Sequence, residues 1–172
     1  MNTQKKGRLT VTLINLLIFS VLYIFHFSGN ISLKIGSAQP ILCLSLLVAV
    51  SMFSSEWFSA FAGLVLGFFF DSVSSSSSVF NTVIMFIIGL GVSLITHYIF
   101  NNNILSAAAL SVISSVIYFL LMWLLFYGIG KGAEQSAYYL FRIAVPSAVY
   151  TAVFIFPFYF LERALFKKFT NN

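Results

Sequence analysis

FAGLVLGFFFDSVSSSSS, residues 61–78, is an apolar run that ends on one carboxylate, Asp71, and passes into a serine tract. Residues four apart share a helix face, so Ser55, Ser59, Gly63, Gly67 and Asp71 form one slowly drifting stripe of small residues that ends in the acid. Leu64, Phe68, Phe69 and Phe70 fall on other faces. In lipid the hydrophobic effect does not draw helices together; close backbone approach at small residues and hydrogen bonds between helices do. The stripe therefore reads as a packing surface, either an internal helix seam or an interface for a partner's helix, with Gly89 and Gly91 as expected counterparts in the following apolar segment and Ala107, Ser111, Ser114 and Ser115 in the one after.

The rest of the chain agrees with a membrane setting. Hydrophobic residues make up 60% of its 172 residues and charged ones 8%, and the mean hydropathy is +1.00, far from the composition of a water-soluble domain. Segments of about 20 apolar residues, the length a bilayer core requires, occupy 9–28, 80–100, 104–127 and 138–161. The first follows a basic start but is too long for a signal peptide and ends in no small-residue cleavage pattern, so it reads as a retained span. Two shorter pieces, 41–53 and 57–70, are separated by Ser54, Ser55 and Glu56; they form either two tilted spans or one re-entrant hairpin. Pro146 and Pro157 are expected to kink the last span. The expected architecture is an all-α integral membrane protein, a compact bundle of about six transmembrane helices forming one domain over 1–172.

The net charge of +5 sits mostly at the two ends, in Lys5, Lys6 and Arg8 and in Arg163, Lys167 and Lys168. This distribution is that of the positive-inside rule rather than of a nucleic-acid surface, and puts the basic ends, 1–8 and 163–172, in the cytoplasm. Lys34, Asp71 and Lys131 then fall on the outer side, and the asparagines at 101–103 inside. Asp71 at the outer end of its helix shares a depth with Arg142 near the outer end of the last span. An ion pair between Asp71 and Arg142, or else Lys131, is one expectation. The other is an Asp71 wetted at the interface that starts the serine loop, with Arg142 snorkelling independently.

No catalytic, cofactor-binding or metal-binding residues are expected. His26 and His97 lie at opposite sides of the membrane with no ligand at metal spacing. Cys43 is alone in an apolar stretch, and Glu56 and Glu134 read as boundary and loop charges. The serines at 74–78 have no base beside them. With acids and histidines scattered singly, enzymes and ion pathways are disfavoured, and binding within the membrane is what is left.

Pro40 opening the second segment, Gly63, Gly67 and Asp71 spaced G-x-x-x-G-x-x-x-D, and a following span with Gly89 and Gly91 together resemble the MreD family of rod shape-determining membrane proteins. The serines at 74–78 depart from that family's glycine-containing loop. The resemblance implies a non-enzymatic component of the cell-elongation machinery in a bacterial cytoplasmic membrane, concerned with cell shape and peptidoglycan synthesis. Its implied partners are an MreC-like single-span protein and, through it, a RodA-type glycosyltransferase and a class B penicillin-binding protein, with membrane lipid around it. It also implies a fold like the substrate-binding component of energy-coupling-factor transporters. A vitamin-binding subunit of such a transporter is accordingly the alternative function.

Overall fold

The computed structural model describes residues 3–27, 39–73, 79–99, 102–128 and 133–170. Lys34, the serine tract at 74–78, Asn101 and Lys131 lie outside the described residues, as does the side chain of Glu134. Among the described residues every regular element is helical: α1 (Thr3–Phe27), α2 (Leu42–Phe53), α3 (Glu56–Val73), α4 (Phe80–Tyr98), α5 (Ile104–Trp123), α6 (Ala133–Tyr139), α7 (Val145–Val153) and α8 (Ile155–Thr170). Four stretches, Glu56–Val73, Phe80–Tyr98, Ile104–Phe126 and Ser136–Phe169, are long and apolar enough to cross a membrane; Thr10–His26 and Leu42–Phe53 are shorter apolar helices.

The short second helix is the core. Of its residues, Cys43, Leu44, Leu46, Leu47, Ala49 and Val50 are completely buried, because α1, α3, α4, α5, α7 and α8 all pack around it. A helix apolar on every face is buried on every face. Its 12 residues extend only about 18 Å at 1.5 Å per residue, well short of a hydrocarbon core of about 30 Å. The non-helical residues 39–41 ahead of it make up part of the difference, and their amides are satisfied inside the protein. Ser147 Oγ accepts the Gln39 N–H at 3.1 Å and Thr151 Oγ1 accepts the Ile41 N–H at 3.0 Å. Pro40, between them, has no N–H to satisfy. Irregular backbone in an apolar setting survives only where protein meets its hydrogen bonds, and α7 does so here.

Contacts at the two ends settle the path through 39–73. Gln39 donates its side-chain amide to the His26 carbonyl at one end, whereas Phe53 stacks on Tyr159 and Phe166 at the other. From there α3 returns, placing Phe70 against His26 with ring centroids 5.1 Å apart. The two pieces are thus two opposed traverses rather than a shallow hairpin. Gly7 packs on the Phe169 backbone, so both chain ends lie at one end of the bundle, called here the terminal end.

The last traverse is broken where its prolines require. A five-residue π-turn, Leu140–Ala144, precedes α7, whose second residue is Pro146. The chain turns again at Phe154, three residues before Pro157, with Phe154 N–H bonded to the Thr151 carbonyl at 3.2 Å. Each proline removes an intrahelical donor and crowds the preceding turn. At the start of this traverse, Trp123 Nε1 donates to the carbonyl and hydroxyl of Ser136, both at 3.0 Å, tying the end of α5 to α6.

Candidate functional site

The small-residue stripe of α3 meets a matching stripe on α4, and the two helices run antiparallel in close contact. A Cβ on Gly63 would strike the Met85 carbonyl, one on Gly67 the backbone of Asn81 and Thr82, and one on Gly89 the Ser59 carbonyl. Going down α3 by fours, Ser59, Gly63 and Gly67 oppose Gly89, Met85 and Asn81 of α4, also spaced by four. Ser59 is fully buried and returns its hydroxyl to the Ser55 carbonyl at 3.0 Å. Ser59, Gly63, Gly67 and Gly89 therefore belong to an internal seam, not to a surface left free for a partner. Gly91 corrects the expectation: a Cβ there would meet nothing within 4 Å. It is two residues from Gly89, about 200° around the helix, so it turns away from α3.

Asp71 closes the seam at the end away from the termini. Its Oδ1 accepts the backbone N–H of Asn81 at 3.1 Å and that residue's Nδ2 at 2.9 Å; its Oδ2 accepts the backbone N–H of Thr82 at 2.7 Å and its hydroxyl at 2.6 Å. The first turn of a helix leaves its amides without intrahelical acceptors, and the residue at the N-cap of α4 is Val79, whose side chain makes no capping bond. Asp71 supplies from α3 what Val79 lacks, and places negative charge at the positive end of the α4 dipole. Tyr118 of α5 donates its buried hydroxyl to Asn81 Oδ1, which orients the Asn81 amide and extends the clamp to a third helix.

Among the described residues Asp71 forms no ion pair with Arg142, and Lys131, the other expected partner, lies outside them. Both carboxylate oxygens are engaged by α4, and the Arg142 guanidinium instead lies over the Tyr138 ring, 5.9 Å from its centroid. The helical amides of a neighbour made a better partner than a cation on a distant helix, because they come already fixed at the acid's own depth.

Three further features bear on function. Among the described residues no group of three His, Cys, Asp or Glu side chains is placed to hold a metal. At the terminal end a recess of about 280 Å³ is lined by Val11, Thr12, Ser54, Ser55, His97 and Phe166, among others. On the flank, an outward-opening groove of about 370 Å³ runs between α5 and α7, with Val112 and Val116 on one wall, Ala144, Ala148 and Ala152 along the other, and only apolar residues lining it.

Two polar sets escaped the sequence reading. One is Ser147 and Thr151, whose hydroxyls serve the extended start of α2. The other is Asn15 with Glu162, each only 1% exposed and joined through Asn15 Nδ2 and Glu162 Oε2 at 3.2 Å. Glu162 stands directly before Arg163 at the start of the basic tail, a position that by sequence alone suits a solvated charge. Asn15 was the available signal, a lone amide inside an otherwise apolar first span.

Fold and site together define a helical bundle with four stretches long and apolar enough to cross a membrane, a glycine seam locked by a carboxylate clamp, and an apolar groove on its side. No family model matches the chain, and no curated protein or solved structure matches it either.

Proposed function

We propose that the chain is a non-enzymatic membrane scaffold of the MreD kind, acting in a bacterial cytoplasmic membrane with both termini in the cytoplasm. It docks the transmembrane helix of an MreC-like protein and, through that complex, cell-wall synthases of the elongation machinery. The resemblance carried by Pro40, Gly63, Gly67, Asp71, Gly89 and Gly91 motivates the family. The observation that carries a docking role is the groove between α5 and α7. Ala144, Ala148 and Ala152 form its buried floor, Val112, Val116, Val149 and Val153 stand exposed along its rims, and no polar side chain lines it for a soluble substrate. The glycine stripe, being consumed by the α3–α4 seam, contributes rigidity rather than the docking face.

The test is affinity purification of the tagged full chain from its native membranes in mild detergent, with mass spectrometry of the bound proteins. MreC-like and RodA-type proteins, or a class B penicillin-binding protein, are the expected companions. Recovery of a transporter's membrane coupling subunit with its ATPases would overturn the scaffold reading and make the chain a vitamin-binding component.

A further inference from the structure

Asn15 and Glu162 join the first and last helices deep in the bundle. They belong to the same antiparallel contact as Gly7 and Phe169, about 12 Å further in by the rise of eight residues of α1. Glu162 lies within the Ser136–Phe169 stretch that is apolar and long enough to cross a membrane. Asn15 Nδ2 donates to Glu162 Oε2, and this leaves two buried atoms with no partner, Asn15 Oδ1 and Glu162 Oε1. Both are acceptors if the carboxyl is ionised. An amide and a carboxyl each carry their two polar atoms on one edge, so with Nδ2 on Oε2 an edge-on approach of the two groups sets Oδ1 opposite Oε1. Two lone-pair oxygens would then face one another in a medium of low dielectric, which is costly.

One added proton removes the conflict, and we propose that Asn15 and Glu162 form a proton-binding site. The proton, taken from the aqueous phase, resides on Glu162 Oε1 and is donated to Asn15 Oδ1, closing a cyclic carboxylic acid–amide pair that latches α1 to α8. A metal cation fits the pair less well than a proton, because hard cations take about six or more oxygen ligands and the pair offers two unengaged ones.

The surroundings support a neutral pair. Of the elements packed on α8, α2 brings its Met52–Phe53 end, with Cys43 at the opposite end of that helix; α5 carries Tyr118 and α7 carries Tyr150, neither of them bonded to Glu162. On α1, Tyr23 and His26 lie toward the far end, and the side chains of Lys5, Lys6 and Arg8 are outside the described residues. On α8 itself Tyr159 gives its hydroxyl to the Asn102 carbonyl at 3.0 Å, and Arg163, Lys167 and Lys168 are turned outward. The pair lies close to the terminal-end recess without lining it. The terminal-end recess is lined by Val11 and Phe166, one helical turn from Asn15 and Glu162 respectively, and by His97.

The experiment is infrared difference spectroscopy of the full chain in lipid nanodiscs at neutral pH, comparing wild type with Glu162→Gln. The expected result is a protonated-carboxyl C=O band in the wild type that disappears in the variant, moves in D2O, and is indifferent to exchange of potassium for sodium. Glu162→Asp, which retains the acid, displaces the band without abolishing it, and this second variant keeps the test valid should the glutamine chain fail to fold. A carboxylate band assigned to Glu162 at neutral pH would overturn the proposal. Loss of the acid band on adding sodium at fixed pH would overturn it too, replacing a proton site with a cation site.

Discussion

Thr82 gives Asp71 both its backbone N–H, at 2.7 Å, and its hydroxyl, at 2.6 Å, so the last turn of α3 caps the first turn of α4. Capping bonds of this kind contribute roughly 1 kcal/mol each and more when the acceptor is charged. Asp71→Ala is therefore expected to lower stability by about 2 kcal/mol or more, with Asp71→Asn losing less because one amide oxygen still accepts. Thermal unfolding in detergent, followed by loss of the monodisperse peak in size-exclusion chromatography, measures the order. Combining Asp71→Arg with Arg142→Asp is expected to restore nothing; a rescue would revive the ion pair.

The seam makes a sharper distinction among glycines. Gly67→Ala pushes a methyl into the Asn81 and Thr82 backbone, and Gly63→Ala into the Met85 carbonyl, whereas Gly91→Ala points into open space. Backbone cannot yield as a flexible side chain does, so the first two are expected to destabilise by about 1–3 kcal/mol, and the third, in a helix interior with room for a methyl, to leave the unfolding temperature the same or to raise it by the equivalent of up to about 1 kcal/mol. Equal effects of Gly67→Ala and Gly91→Ala would show that α3 and α4 do not meet along this face.

At the start of α2 the prediction concerns hydroxyls. Thr151→Val keeps the shape of the side chain but leaves the Ile41 N–H without its acceptor, a cost of about 1–3 kcal/mol for a buried amide. Thr151→Ser should restore it. Hydrogen exchange at Ile41, slow in the wild type and fast in the valine variant, is the direct readout.

Cys43 is completely buried in the central helix, so a thiol-reactive fluorophore should label the folded chain only as it unfolds. Labelling kinetics against temperature then report opening of the core, and prompt labelling at low temperature would contradict the position of α2.

Much of this architecture was legible in the sequence, and most of the exceptions share a cause. Hydrophobic length gives three of the four span-length stretches, those from Phe80, Ile104 and Ser136, while α3 proves longer and the apolar part of α1 shorter than expected; the four-residue spacing of Ser59, Gly63, Gly67 and Asp71 gives the α3 face that packs, because it is a property of one helix at a time. The partners of that face are properties of two helices. Gly89 and Gly91 look equivalent in sequence, yet only one turns toward α3, and the choice depends on the rotation of α4. The Asp71 partner was missed for a related reason: the acceptors and donors that matter at a helix start belong to the backbone, which has no letter in the sequence. A charge-to-charge reading favoured Arg142, while the N–H groups of Asn81 and Thr82 were the nearer donors. Glu162 was hidden by its neighbours, since a carboxyl beside Arg163 reads as part of a solvated tail until α1 brings Asn15 against it.

The docking role of the flank groove is the claim on which the functional account depends. A photo-crosslinking amino acid placed at Val149, which lines the groove and is 61% exposed, and another at Ile87, on the outside of α4 and 54% exposed, would be activated in native membranes and the adducts identified by mass spectrometry. The account predicts an adduct between Val149 and the transmembrane segment of an MreC-like or cell-wall synthase protein, with none from Ile87. Adducts to those proteins from Ile87 and not from Val149, or an adduct from Val149 to a transporter coupling subunit, would contradict it.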